Sequence, residues 1–153
     1  MTNGDHQVPD GAFNLLIGGE AGQGLATIGL ILTKSLIRAG YSIVVTQSYE
    51  SRIRGGHNTF AIRASEGQVV APQEPVDLII ALNRETVELH QDELSASGAV
   101  ITDESFRTDD KPCLAVPLKQ LASKRFVNTA ALGVAASVLG LQKDLISKTL
   151  QDA

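Results

Sequence analysis

A short apolar stretch that runs directly into a glycine-rich turn constrains the fold of this chain more than any other feature. Residues 13–18 are Phe-Asn-Leu-Leu-Ile-Gly, and residues 19–24 are Gly-Glu-Ala-Gly-Gln-Gly. The apolar stretch predicts a buried first strand. Apolar residues then recur at helical spacing over residues 25–39, and Gly40 stands where a helix C-terminus favours a left-handed residue. Strand, turn and helix in this order predict the start of a βαβ unit.

Segments with alternating strand and helix character fill the rest of the sequence. Residues 43–45 predict a second buried strand, reached by a right-handed crossover. Residues 59–65 have two different faces and predict a strand at a sheet edge, or one in a hairpin that returns through residues 66–70. Further strands are predicted at 77–82, 99–102 and 113–116, and helices at 85–94 (capped by Asn83), 130–141 (capped by Asn128 and Thr129) and 143–151. This order predicts an α/β, Rossmann-like three-layer domain with a mostly parallel sheet.

Length and composition fit one domain. The chain has 153 residues, of which 43% are hydrophobic and 4% aromatic. A core of small branched aliphatic residues suits parallel strands that helices cover on both faces. We expect a disordered lead-in at residues 1–12, the folded domain at 13–142, and the start of a connection to a following domain at 143–153.

Charge and cysteine content exclude several classes of function. The formal net charge is −4 at pH 7 and basic residues do not form a long run, so nucleic acid and anionic membranes are not expected partners. Cys113 is the only cysteine. An internal disulfide and a four-cysteine iron–sulfur cluster are therefore impossible, and a cytoplasmic location is expected. No apolar run approaches the roughly 20 residues that span a bilayer.

The glycine turn is the first candidate ligand site. Glycines let the backbone approach an anion at a helix N-terminus. The spacing is not that of a dinucleotide fingerprint, because Thr27 stands three residues after the last glycine, and Thr46 and Gln47 replace the acid expected at the end of the second strand. NAD is therefore disfavoured. The alternative is that the glycines only form a tight, closely packed turn. The residues predicted to bind are Gly19, Gly22, Gln23 and Gly24.

A second candidate segment follows the predicted second strand and is rich in hydrogen-bond donors. The planar fork of an arginine suits phosphate and carboxylate groups, and paired glycines allow close backbone approach. The segment would lie beside the glycine turn, at the carboxyl edge where open α/β sheets bind ligands. In the alternative interpretation the arginines form ion pairs, with Glu50 for instance, and the glycines form a bulge. The predicted contacts are Arg52, Arg54, Gly55, Gly56, His57 and Asn58.

Other polar residues do not form a self-contained active site. His57 is interpreted as a hydrogen-bonding loop residue, His90 as part of a solvated helix face, and Cys113 as an inert core thiol. No catalytic residue and no metal ligand is predicted.

Taken together, these segments resemble the gamma domain of the 2-oxoacid:ferredoxin (acceptor) oxidoreductases, the pyruvate and 2-oxoglutarate group. The resemblance extends from Asn14 to about Leu141. Ala21 in the first turn and the pair His57-Asn58 are similar to the subtype in which this domain is fused ahead of the alpha domain. The matching segments are residues 18–24, 51–58, 77–82 and 128–133.

The resemblance implies a role in oxidative decarboxylation of a 2-oxoacid to an acyl-coenzyme A, with electrons passed to ferredoxin. It implies that thiamine diphosphate and Mg²⁺ are held by alpha and beta portions, and the iron–sulfur clusters by the beta portion or a ferredoxin-like one. It further implies that this chain alone binds no cofactor and is inactive. It also implies that the gamma domain supports assembly and the coenzyme A site. An indolepyruvate-type ferredoxin oxidoreductase subunit and a stand-alone coenzyme- or nucleotide-binding module are the alternatives.

Overall fold

The computed structural model describes residues 11–50, 56–68 and 75–153. Three short 3-10 turns connect some of the elements, at Gln91–Glu93, Glu104–Phe106 and Lys124–Phe126. The strands are β1 (Ala12–Glu20), β2 (Ser42–Tyr49), β3 (His57–Ser65), β4 (Val76–Ala81), β5 (Leu94–Asp103) and β6 (Cys113–Val116). The helices are α1 (Leu25–Arg38), α2 (Arg84–His90), α3 (Leu118–Leu121), α4 (Val127–Val138) and α5 (Lys143–Gln151).

The described strands form one sheet in the order β2-β3-β1-β4-β5-β6. β1, β4, β5 and β6 pair in parallel, whereas β3 is antiparallel to both of its neighbours, β2 and β1. β3 is therefore the one described strand that runs against the others. The predicted α/β fold with a mostly parallel sheet is confirmed.

The core lies on both faces of this sheet because successive strand residues point to opposite sides. Leu15 and Ile17 of β1 pack with α1 and α4 in the larger cluster, while Leu16 packs with Val87 of α2 in a smaller one. Each of these side chains is less than a tenth exposed. The predicted three-layer arrangement follows from this alternation.

Two strand predictions are wrong in their placement. Residues 43–45 lie in β2, which pairs only with β3 and forms an edge of the sheet, so that Val45 is 36% exposed rather than buried. The strand predicted at an edge, β3, instead lies between β2 and β1. Its two-faced pattern arises because Phe60, Ile62 and Ala64 enter the larger core. The proposed return hairpin reaches residues 69–70, which lie outside the described residues.

Helix boundaries follow local capping. Asn83 caps α2 as predicted, since its side chain accepts a hydrogen bond from the Thr86 N–H, but the helix ends at His90 and Leu94 already belongs to β5. α1 ends as predicted with Gly40 at φ 101°. α4 begins at Val127, so Asn128 lies in its first turn and is not the cap.

The chain ends are also partly revised. Ala12, predicted in the lead-in, is the first residue of β1, and residues 1–10 lie outside the described part. The predicted last helix is α5, whose Thr149 is fully buried and accepts a hydrogen bond from Arg38 of α1 at 2.9 Å. α5 is therefore packed onto the domain. Within the described residues, no helix has the length and apolar character needed to cross a membrane.

Candidate ligand site at the carboxyl edge of the sheet

A cavity of about 570 Å³ lies where the parallel strands end. Its wall includes Ala81 at the end of β4, Leu82 directly after it, Asp103 at the end of β5, and Gly24 at the start of α1. Open α/β sheets bind ligands at this edge, because loops and helix N-termini meet there. The volume is that of a typical small-molecule site.

The glycine turn forms one wall of this cavity. Gly22 and Gly24 line it and adopt φ values of 91° and 77°, which favour glycine. Gly24 is also the N-cap of α1 and provides no side-chain cap. The first-turn N–H groups of a 14-residue helix thus begin at the cavity wall, where they favour an anion.

Gln23 and Gly19 are also predicted to bind a ligand. In the structure Gln23 holds the glycine turn by hydrogen bonds, and Gly19 is closely packed beside it. Gln23 Oε1 accepts a hydrogen bond from the Glu20 N–H at 2.7 Å, and its Nε2 donates to the Leu82 carbonyl at 3.2 Å. These bonds tie the end of β1 to the end of β4. Gly19 is buried, and a β-carbon there would lie 2.5 Å from Gln23 Oε1. For Gly19 the close-packing alternative is therefore the one that the structure supports.

Asp103 is a buried carboxylate in the cavity wall, with a side chain only 7% exposed. Its Oδ1 accepts hydrogen bonds from the N–H and hydroxyl of Ser105 at 3.0 and 2.6 Å, and its Oδ2 accepts from the Lys119 N–H at 2.9 Å. Burial alone would raise the pKa of Asp103, but these hydrogen bonds and the nearby Lys119 charge together lower it below its ordinary value. The group is ionised at neutral pH.

Three cationic side chains line the same cavity as this carboxylate, and sequence reasoning missed all of them. Lys119 donates from Nζ to Ser105 Oγ at 2.9 Å and lies 4.4 Å from the centre of the Phe106 ring. Lys124 and Arg125 also line the cavity. With Asp103 as the one acid among the lining residues, the charge balance favours an anionic ligand. The signal was present in the sequence, since the three cations fall within one short segment after β6.

Only part of the arginine–glycine segment can be placed. Arg52, Arg54 and Gly55 lie outside the described residues. The carbonyl of Gly56 accepts a hydrogen bond from the Ala21 N–H at 3.3 Å, which brings the segment's end to the glycine turn as predicted. Asn58 lines a second cavity of about 290 Å³ on the other side of that turn.

His57 and His90 meet in the structure. His57 begins β3, is 6% exposed, and lies with its Nε2 2.8 Å from Nε2 of His90. The interpretation of His57 as a hydrogen-bonding residue is confirmed, but its placement in a loop is wrong, because it belongs to β3. The placement of His90 on a solvated face is wrong, because its side chain is 17% exposed and Nδ1 is bonded to Glu93 at 2.7 Å. The two histidines are 33 residues apart in sequence, and no local pattern links them.

A metal centre does not emerge from the described part of the chain, where no three His, Cys, Asp or Glu side chains gather around a common point. Cys113, the only cysteine of the sequence, is half-buried at the start of β6 and packs against the smaller core cluster.

Comparison with known proteins gives consistent matches. The profile of the family described as Pyruvate ferredoxin/flavodoxin oxidoreductase matches residues 14–153. Subunit alpha of 2-oxoacid:ferredoxin oxidoreductase 2 from Aeropyrum pernix is 29% identical over 134 residues, covering 86% of this chain but 21% of the relative. The 2-oxoglutarate synthase subunit KorC from Archaeoglobus fulgidus is 27% identical over 143 residues, covering 90% of this chain and 76% of the relative.

Two solved structures share the fold. A 2-oxoglutarate:ferredoxin oxidoreductase from Magnetococcus marinus, with 2-oxoglutarate, coenzyme A and succinyl-CoA bound, superposes with a TM-score of 0.85 at 23% identity, over 94% of this chain and 27% of the other. A keto/oxoacid ferredoxin oxidoreductase gamma subunit from Geobacter sulfurreducens gives 0.76 at 22% identity, over 92% and 83%. The chain thus spans about a quarter of the first and most of the second.

Proposed function

This chain belongs to the pyruvate ferredoxin/flavodoxin oxidoreductase family, and we propose that it is the gamma component of a 2-oxoacid:ferredoxin oxidoreductase. Such an enzyme converts a 2-oxoacid to an acyl-coenzyme A and passes the electrons to ferredoxin. Relatives that match along most of this chain are named as subunits of 2-oxoacid:ferredoxin oxidoreductase or 2-oxoglutarate synthase. The resemblance to gamma domains that the sequence motifs predicted is confirmed at the level of the family.

Within that enzyme, the proposed role is to support assembly and the coenzyme A site. The observation that carries this proposal is the cavity at the carboxyl edge, which is lined by Lys119, Lys124 and Arg125 together with Gly24 at the start of α1, where no side chain caps the helix. Coenzyme A is a phosphate-rich ligand, and its phosphates are the kind of group that such cations and helix N–H groups bind. The predicted contacts of the arginine–glycine segment, Arg52, Arg54 and residues 55–58, are proposed to act on the same ligand or on a partner domain.

The bond-breaking chemistry is proposed to lie in the alpha and beta portions. One cysteine cannot replace the four thiolates that an iron–sulfur cluster usually requires, and the Gly-Asp-Gly start of a thiamine diphosphate signature is absent from the sequence. The residues present therefore do not fit either group. Ferredoxin is proposed to interact with the assembled complex.

Reconstitution tests the proposal. The chain is combined with the alpha and beta portions of its enzyme, and reduction of a dye acceptor is followed with pyruvate or 2-oxoglutarate, coenzyme A, thiamine diphosphate and Mg²⁺. We expect no turnover from the chain alone, and turnover that requires coenzyme A from the assembly. Turnover by the chain alone, or full activity of the other portions without it, would contradict the proposal.

A paired substitution separates the coenzyme A site from assembly. Lys124→Ala with Arg125→Ala should raise the KM for coenzyme A by at least about tenfold to a hundredfold, because even one lost charge-assisted contact costs on the order of 1.5–3 kcal/mol. Lys143→Ala removes an exposed cation at the start of α5, away from the cavity lining, and serves as the control. An equal change in the KM for coenzyme A in the double variant and in Lys143→Ala would contradict the assignment of coenzyme A binding to the cavity.

A further inference from the structure

A chain of three side chains crosses from β3 to the end of α2. His57 and His90 face each other through their Nε2 atoms at 2.8 Å, with ring centres 5.0 Å apart and ring planes inclined by 28°. On its other side, His90 Nδ1 lies 2.7 Å from Glu93 Oε2. His57 is buried, and His90 and Glu93 are progressively more exposed, at 17% and 34% of their side chains.

The carboxylate fixes the direction of the hydrogen bonds. Glu93 can only accept, so His90 carries its proton on Nδ1. In the neutral pair, His90 Nε2 is then the acceptor and His57 Nε2–H is the donor. This leaves a lone pair on His57 Nδ1, which is buried and has no hydrogen-bond partner among the described residues. An unpaired buried acceptor is tolerated better than an unpaired buried N–H, so this arrangement is favoured.

An added proton changes this balance. The pair can accept one proton from solvent if the hydrogen between the two Nε2 atoms moves to His90. His57 must then carry a proton on Nδ1, and this buried N–H has no acceptor among the described residues. A second proton would set two N–H groups against each other and break the Nε2–Nε2 contact. The neutral pair is therefore the favoured form, since the first proton leaves a buried N–H without an acceptor in the described part of the chain and the second breaks the contact.

His57 also holds the end of the glycine turn through the backbone. Its N–H donates to Glu50 Oε2 at 3.2 Å, and its carbonyl accepts from the Glu50 N–H at 3.3 Å. The preceding carbonyl, of Gly56, accepts from the Ala21 N–H at 3.3 Å. Gly56 packs closely against Glu50, because a β-carbon there would lie 2.7 Å from the Glu50 carbonyl oxygen. Where His57 lies thus determines where the glycine turn is anchored.

We infer that His57, His90 and Glu93 form a clamp that positions the glycine turn while the histidine pair is neutral, and that protonation of the pair releases it. His57 and His90 are in this view positioning residues, which act on the cavity through Gly56 and Ala21. The clamp does not depend on which ligand the turn binds.

The charges around the pair agree with this direction. Burial, and then the neighbouring His90, lower the pKa of His57 from its ordinary value, although Glu85 of α2 and Glu50 after β2 act in the opposite sense. A histidine with a lowered pKa stabilises the fold fully above its unfolded pKa of about 6.5. That contribution is lost as the pH falls from there through the folded pKa. Closure of the clamp should follow the same window.

Histidine nitrogen shifts, measured by NMR on the unsubstituted ¹⁵N-labelled chain, test the direction of the clamp. At about pH 8 we expect His57 protonated on Nε2 only and His90 on Nδ1 only. His6→Gln removes the one other imidazole of the sequence and simplifies assignment. A His57 protonated on Nδ1 at this pH, or two histidines that titrate independently near about pH 6.5, would overturn the inference.

Amide hydrogen exchange of Ala21, corrected for its intrinsic pH dependence, tests the coupling. Between about pH 7.5 and pH 5 its protection should fall severalfold, because protonation of the pair releases the turn. His90→Gln keeps an atom able to accept from His57 but removes the second titrating group, and with it the second proton that breaks the contact, so this fall should become smaller. Gln91→Ala, which removes the neighbouring bond to Thr108, should leave the fall unchanged. A fall of full size in His90→Gln, or no fall in the unsubstituted chain, would overturn the clamp.

Discussion

The side-chain amide of Asn128 fills the space beside the α-carbon of Gly24, where a β-carbon would lie 2.4 Å from Asn128 Nδ2. The contact joins the start of α4 to the start of α1. Both residues line the cavity at the carboxyl edge, and Gly24 has φ 77°. The glycine therefore meets two requirements, a left-handed backbone and room for the amide.

Substitution of the two glycines of the turn separates these requirements. Gly22→Ala should lower the free energy of unfolding by about 1–2 kcal/mol, because Gly22 has φ 91° but open space around it. Gly24→Ala should cost more, since it adds the collision with Asn128. In an Asn128→Ala background the extra cost should disappear. Urea unfolding measures the stability of Gly22→Ala, Gly24→Ala, Asn128→Ala and the double variant of Gly24 and Asn128. Equal losses of stability from Gly22→Ala and Gly24→Ala in the natural background would contradict the prediction.

The glycine turn could be predicted because its signal is local. An apolar stretch, closely spaced glycines and a helical stripe lie within residues 13–39, and each restricts the backbone directly. The place of β2 could not be predicted in the same way. Its Ile-Val-Val run resembles a central strand, and its position at the edge depends on β3 inserting next to β1, a long-range pairing that no local pattern records.

The cavity illustrates the same limit. Asp103 and Lys119 are 16 residues apart, and the parallel pairing of β5 with β6 brings them together. His57 and His90 belong to a strand and a helix that neither composition nor spacing connects. Their contact has no sequence signature.

The glycines inside α4 and α1 give a second prediction, in which one Gly→Ala change stabilises the chain and the other destabilises it. Gly133 lies in α4 and has open space on its side-chain face, since a β-carbon added there would have nothing within 4 Å. Gly133→Ala should therefore stabilise the chain by about 0.5–1 kcal/mol through lower backbone entropy in the unfolded state. Gly29 lies in α1, where a β-carbon would meet the Phe60 ring at 2.6 Å. Gly29→Ala should destabilise it, typically by about 1–3 kcal/mol. Thermal melts of both variants suffice, and stabilisation by Gly29→Ala would contradict the packing of α1 on β3.

The buried carboxylate of the cavity should make stability depend on acid pH. Because the pKa of Asp103 is lowered in the folded chain, its contribution is present above the unfolded pKa and is lost as the pH falls through the folded one. Asp103→Asn should remove this dependence and cost about 1.5–3 kcal/mol at neutral pH, since an amide N–H₂ cannot accept from Ser105 or Lys119.

The control for Asp103 is a carboxylate of the same segment that faces solvent. Asp109 pairs with Arg107 at 3.3 Å, but its side chain is 89% exposed. Asp109→Asn should change stability by less than about 0.5 kcal/mol. Urea unfolding over a series of pH values compares the two variants, and equal effects would argue that the hydrogen bonds to Asp103 contribute nothing to the fold.

Arg54 and Lys124 are both proposed to contact phosphate, and their substitutions distinguish a ligand role from a structural one. If Arg54 contacts an anion or a partner domain, Arg54→Ala should change the stability of the chain by less than about 0.5 kcal/mol. In the assembled enzyme the same change should weaken coenzyme A use about tenfold to a hundredfold. Lys124→Ala should behave alike, because Lys124 is exposed at the cavity.

Combining the two substitutions shows whether the contacts are shared. If Arg54 and Lys124 bind the same phosphate, the losses in the double variant should not add, whereas contacts to separate groups should add within about 0.5 kcal/mol. A structural Arg54 would give a different result, since removing one partner of a buried ion pair costs roughly 3–5 kcal/mol of stability. Thermal melts of the chain, paired with coenzyme A kinetics of the assembly, distinguish these cases. A large loss of stability from Arg54→Ala would assign the coenzyme A contacts to the cavity cations instead.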